Sequence, residues 1–250
     1  MELARAIASR EIPLTARVMV NRLWGHFFGR PLVETSSNFG HSGLPPTHPE
    51  LLDDLAVRFM NQGWSIKSLV REFVLSSSYR QSSRVARKQA ATDAANELHG
   101  WMSRRRLSIE QWRDSVLFVS GQLEATSSKS LELDDPDNHR RTVYARVSRL
   151  KLNDMLQQFD YPDANVHSEK RSVTTTAMQK LFVLNSPFML RQAKALAARL
   201  TDKPTESDRH RVERAYRLLF GRQPNGEELD LALEFLGKPV APEMSRWQQY

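Results

Sequence analysis

His26 and Arg22 stand one helical turn apart within residues 14–28 (LTARVMVNRLWGHFF), and Arg17 and Asn21 repeat that spacing. An imidazole beside a guanidinium on one helix face can bind an anion or relay a proton. The plainer reading is an internal ion-pair network with Asp or Glu of neighbouring helices, because an unpaired buried charge is costly. Spacing alone favours the plainer reading. His41 and His48 flank a turn at 43–46, and with Glu50 they supply three potential metal ligands. Their spacing is not that of a metal motif, and Thr47-His48-Pro49-Glu50 reads as a helix capping box, so no metal site is expected. Asn38 lies in the same loop, while Asp160, Asp163 and Arg171 fall in a second polar loop. If loops 30–46 and 160–175 meet, Arg22, His26, Asn38, His48, Asp160, Asp163 and Arg171 form a hydrolase-like site around one concavity.

Two further clusters invite a functional reading. Asp134-Asp135-Pro136-Asp137-Asn138 has carboxylates, but it lacks the alternating positions, central Gly and closing Glu of a calcium loop. A solvated turn is the simpler reading. Arg104-Arg105-Arg106, with Arg140, Arg141, Arg146 and Arg149, offers guanidinium forks for phosphate or sulfated glycan. Arg140 and Arg141 adjoin the acidic loop, which favours self-neutralisation. The net charge is +7, spread as +3 over 1–100, +5 over 101–200 and −1 over 201–250. Nucleic-acid binders concentrate charge on one face or arm, so nucleic acid is a disfavoured partner. Standard phosphate-loop, serine-hydrolase, zinc-protease and dinucleotide signatures are absent. With no cysteine, disulfides, thiolate chemistry and Cys-ligated metals are excluded within this chain.

The elements that would position these residues are helices. Residues 14–28 are apolar nearly all round, which predicts a central, buried helix between Pro13 and Gly29. A helix from the 47–50 box to Gly63 carries Leu51, Leu52, Leu55 and Phe59, and Ser65 caps the next. The stretch 76–91 reads as a partly helical connector and 93–101 as a helix. Ser108 opens a helix with an apolar stripe of Trp112, Val116, Val119 and Leu123. Residues 125–141, including Ser127 and Ser128, form a polar loop, and 142–147 alternates as the one credible strand. A short helix at 152–159, helices at 176–184 and 188–200, and the pair 207–220 and 226–236 follow. Pro242 to Tyr250 reads as a helix just starting, as expected of a fragment that stops short of its last helix. The five tryptophans sit in or near helices and are mostly expected in the core. The expectation is one all-α domain over 1–250, an irregular multi-helix array with long polar, proline-bearing loops and at most one short strand or hairpin. No apolar run approaches the ~20 residues of a membrane span.

Five ordered blocks are more specific than any motif: 16–56 (ARVMVNRLWGHFFGRPLVETSSNFGHSGLPPTHPELLDDLA), 63–83 (GWSIKSLVREFVLSSSYRQSS), 104–123 (RRRLSIEQWRDSVLFVSGQL), 159–188 (FDYPDANVHSEKRSVTTTAMQKLFVLNSPF) and 211–236 (RVERAYRLLFGRQPNGEELDLALEFL). In these blocks the chain resembles the planctomycete cytochrome-associated C-terminal domain of unknown function, the DUF1553 or PSD-type family. The resemblance implies a module of a large exported or periplasmic protein whose partners are the other domains of the same polypeptide. It also implies a link to polysaccharide. Haem c belongs elsewhere in such a parent, since a CxxCH site cannot exist here, so no cofactor is expected in this chain. The family brings no catalytic residues to transfer. Ala164 departs from the usual PDP of the loop after Asp160, and the family's cysteine near His167 and Ser168 is missing. A thiol-dependent role for that loop is therefore not expected.

Overall fold

The computed structural model describes residues 1–126, 130–166, 168, 170–239 and 244–250. The chain is mainly α, and it divides into two compact units, Met1–Arg106 and Leu107–Tyr250.

In the first unit, α1 (Glu2–Ile7) precedes α2 (Pro13–Phe28), α3 (Pro49–Asn61), α4 (Ile66–Leu75) and α5 (Arg87–Thr92). Pro13 occupies the first turn of α2, where its missing N–H costs nothing, and Gly29 ends the helix in the left-handed region. The helix is not apolar all round in its packing. Ala16, Val20, Trp24 and Phe28, four residues apart, form the buried stripe, while Leu14 and Met19 are exposed. That stripe packs with Leu52, Leu55, Ala56 and Phe59 of α3, Leu69 and Phe73 of α4, and the loop residues Leu32 and Val33. Ser65 caps α4, accepting the Ser68 N–H. The box expected at 47–50 does not form. His48 is the N-cap of α3 without a side-chain hydrogen bond, because the Thr47 hydroxyl is turned to the Leu32 carbonyl, 3.4 Å away. Residues 93–101 are turns rather than a helix: the Asp93 carboxylate takes the Glu97 and Leu98 N–H groups, and Asn96 and His99 are left-handed.

In the second unit, α6 (Ile109–Ser120) is opened by the Ser108–Gln111 capping box. Its buried side is Ile109, Arg113, Leu117 and Ser120, one position round from the expected stripe, with Trp112 and Val116 half-buried beside it. α7 (Asp154–Gln158) is capped by Asn153, α8 (Ala177–Asn185) by Thr176, and α9 (Pro187–Leu200) by Ser186 ahead of Pro187. Ile109, Leu117, Leu133, Met155, Leu156 and Phe188 form their core. α10 (Asp208–Phe220), α11 (Gly226–Leu236) and α12 (Arg246–Gln249) pack Val212, Leu229 and Ala232 with Trp247. The expected strand at 142–147 is a 3-10 turn over Thr142–Tyr144. Thr142 gives both its N–H and its hydroxyl to Asp114, each at 2.7 Å, which holds the segment against α6 instead of beside a strand. The β-pairing among the described residues is an isolated bridge, Glu124 with Arg140. Ser127, Ser128, His167 and Pro242, which figured in the sequence expectations, lie outside the described residues. No helix among the described residues is long and apolar enough to cross a membrane.

Candidate functional site

Arg22, His26, Asn38 and His48 belong to the first unit, and Asp160, Asp163 and Arg171 to the second. Arg22 and His26 lie on the exposed side of α2. Neither is the buried polar group that an all-round apolar helix implied. The His26 backbone carbonyl accepts a hydrogen bond from the Arg105 guanidinium. One position of that helix does bury a polar side chain: Asn21, fully enclosed, exchanges two hydrogen bonds with the Val33 backbone, at 2.8 and 3.0 Å. Arg17 pairs with Asp53 of α3 at 2.9 Å, as the ion-pair reading anticipates.

Asn38 is exposed and builds its own loop. Its side-chain oxygen accepts the Gly40 N–H, its amide reaches Ser42, and its backbone carbonyl takes the Thr35 hydroxyl at 2.9 Å. Thr35 in turn accepts the Leu44 N–H. A side chain at Gly43 would run into the Asn38 carbonyl, so this loop closes only around glycine.

His48 is the sequence candidate that meets another chemically capable group. Its ring lies 5.6 Å from that of His99, centroid to centroid, and its Nδ1 is 3.0 Å from the Thr47 hydroxyl. His99 rests edge-on against Trp24 (5.2 Å) and Phe28 (5.7 Å), with a backbone φ of +51°. Burial against those rings, and next the neighbouring His48, lower the His99 pKa, while Asp93 opposes them. Its environment therefore favours the neutral form of the His99 ring. No three His, Asp or Glu side chains converge on a metal-binding position among the described residues.

The second polar loop spends its groups in the same way as the first. Asp160, itself left-handed, accepts the Thr174 N–H (2.9 Å) and hydroxyl (2.7 Å), and the buried Gln179 amide reaches the Gln158 carbonyl at 2.8 Å. Asp163 accepts the Asn165 N–H at 2.8 Å in a local turn. Arg171 pairs with Glu110 of α6 at 2.8 Å and lies 5.0 Å from the Tyr161 ring centre. The hydrogen bond to Glu110 raises the Arg171 pKa.

Most of the clustered arginines are also engaged. Arg141 lies 3.5 Å from Asp114, Arg146 pairs with Glu132 at 3.1 Å, and Arg140 lies 4.0 Å from Glu124. Other arginines serve the carbonyls at helix C-termini. Arg105 reaches His26 of α2, Arg199 reaches Phe118 and Val119 of α6, and Arg214 reaches Leu200 of α9. Those carbonyls lie in the last turns of their helices, at the negative end of the dipole, so a cation there is stabilising.

Arg113 has no sequence signal at all. It occupies what the pattern reads as a polar position of α6 but is 1% exposed. Its guanidinium donates to the carbonyls of Asn138 (2.5 Å) and Arg140 (2.9 Å) and to the Thr142 hydroxyl (3.3 Å). Burial pulls its pKa down, and the adjacent Asp114 carboxylate opposes that. His99 is equally silent in the sequence, since only the left-handed turn at 96–99 brings it to His48.

Among known proteins, the family model described as "Protein of unknown function (DUF1553)" matches residues 1–236. No curated protein and no solved structure matches the chain.

Proposed function

This chain belongs to the family of proteins of unknown function designated DUF1553, and from that premise we propose that it is a non-catalytic helical module of a larger exported, cytochrome-like polypeptide. The other domains of that polypeptide are its partners. The observation that carries the non-catalytic part is the occupation of the loop side chains. Asn38, Asp160, Asp163 and Arg171 each hold their own loop or a neighbouring helix, through Gly40, Thr174, Asn165 and Glu110 respectively. A general acid or base must have a lone pair or proton turned to the substrate. Asp160, which already accepts an N–H and a hydroxyl, is a scaffold group first.

The exported, haem-bearing parent and a link to polysaccharide processing are supported by the five ordered sequence blocks. The test is the parent polypeptide in its source cells. Fractionation, haem staining and N-terminal sequencing should find a processed, haem-bearing protein outside the cytoplasm. A haem-free cytoplasmic polypeptide would sink this reading. For the module itself, Asp160→Asn is expected to lower the urea midpoint, because the amide cannot accept two hydrogen bonds as strongly as the carboxylate.

A further inference from the structure

The tryptophans, mostly expected in the core, are half-buried apart from Trp24, and Trp101 is one of them. With Ser83, Arg84, Val85, Met102 and Arg104 it lines an open cavity of about 510 Å³ in the first unit. The two chain segments forming the walls are tied to each other and to the fold. Met102 donates its N–H to the Ser82 carbonyl at 3.2 Å. Asn96, buried and left-handed at φ +50°, donates to the Trp101 carbonyl at 2.7 Å and to the Ser103 hydroxyl at 3.0 Å. Gln81 donates to the His99 carbonyl at 2.8 Å. The cavity therefore has fixed walls rather than two loose loops.

Its charge is one-sided. Within the run 104–106, Arg105 is committed to the end of α2 and Arg106 has an interaction of its own, while Arg104 lines the cavity. Among the described residues no carboxylate is paired with Arg84 or Arg104. The acidic groups of the adjoining turn are used elsewhere: Asp93 accepts backbone N–H groups, and Glu97 pairs with Arg30 at 3.0 Å. Two guanidinium groups beside an indole and the apolar Val85 and Met102 make a mixed lining. Guanidinium forks select planar or tetrahedral oxyanions, and an indole face accepts a ring. A volume of this size suits a small ligand rather than a polymer segment.

We propose that this cavity binds a small organic oxyanion, a carboxylate or sulfate carried on a ring, with Arg84 and Arg104 taking the oxyanion and Trp101 the ring face. Isothermal titration of the full chain tests it with benzoate, glucuronate and inorganic sulfate, and with benzyl alcohol and glucose as neutral counterparts. At least one ring-bearing carboxylate should bind tenfold or more tightly than its neutral counterpart and than sulfate. Whichever of benzoate or glucuronate is tighter identifies an aromatic or a sugar acid. Arg84→Gln and Arg104→Gln should each cost about tenfold, whereas Arg71→Gln, an exposed arginine on α4, should cost nothing. Trp101→Leu should erase the advantage of the ring-bearing probe over sulfate. Should that variant fail to fold, the two arginine variants decide the matter, since both side chains are exposed. Equal binding of all three anions, binding unchanged by the arginine variants, or no binding would overturn the proposal.

Discussion

Arg113 stands where a helix facing a core ordinarily places an aliphatic side chain, and α6 turns it inward because the loop 133–142 cannot close without donors. That loop turns carbonyl groups toward the helix, and a buried carbonyl without a partner costs roughly 1–3 kcal/mol. The guanidinium supplies donors to several at once, so the loop folds around the side chain. Replacing it by Met keeps much of the volume and removes every donor. Arg113→Met is expected to destabilise the protein by about 3 kcal/mol, read as a fall in the urea midpoint by circular dichroism. Arg113→Lys should recover part of the loss, and a Met variant within about 0.5 kcal/mol of the parent would refute the account. His99 gives a second expectation of the same kind. Its pKa is lowered in the fold, so the unfolded chain takes up the proton first as the pH falls. Stability is then fully present above the unfolded value near 6.5 and is lost as the pH drops through the lower folded value. Asn tolerates the left-handed backbone and carries no titrating group. His99→Asn should therefore flatten the fall in melting temperature between pH 7.5 and pH 5, and an unchanged pH profile would show that His99 is not its source.

At the scale of elements, what the sequence displays depends on whether the signal is local. The caps of α4 and α6 are legible because Ser65 and Ser108 act on N–H groups three residues away, as Thr176, Ser186, Ser207 and Asn225 do at α8, α9, α10 and α11. The capping box at 47–50 misleads because Thr47 is tied to the Leu32 carbonyl fifteen residues back, by its N–H at 2.9 Å and its hydroxyl at 3.4 Å, and its oxygen accepts no N–H of α3. The helix expected at 93–101 fails for a related reason: Asp93 folds over the next turn, and backbone captured by a side chain does not enter a helix. The strand at 142–147 fails because alternation needs a neighbouring strand, and Asp114 captures Thr142 first. The candidate residues were legible by type but not by employment, since only the fold reveals that Asn38 braces Gly40 and Ser42. Loop 30–46 can be tested as an element. Gly43→Ala places a methyl against the Asn38 carbonyl, and the backbone must give way. A loss of roughly 2 kcal/mol is expected, with faster hydrogen exchange confined to the loop and the start of α3. An alanine variant as stable as the parent would mean that the loop closes differently.

For the whole molecule, the question is what 36 basic side chains are for when the net charge is +7. Evenly spread cations can form a polyanion surface, or they can be consumed internally. The arginines favour internal use. Arg199 and Arg214 satisfy helix-end carbonyls, while Arg17, Arg30, Arg58, Arg171 and Arg222 are matched to carboxylates. A cation already hydrogen-bonded within the fold has fewer donors left for a phosphate and releases fewer counterions when one approaches. Affinity for duplex DNA then falls with salt by a logarithmic slope of about 0.9 for each phosphate neutralised. A dedicated binder making six or more contacts has a slope steeper than about −5. This chain should show a slope no steeper than about −2 to −3 between 50 and 200 mM salt, with retention on heparin lost near physiological ionic strength. A slope of −6, or elution only at high salt, would mean that the arginines are recruited from their carbonyls and carboxylates by the polymer. In that case the helix ends they now stabilise should become measurably less protected from hydrogen exchange in the complex, so one experiment separates the two uses of the same charge.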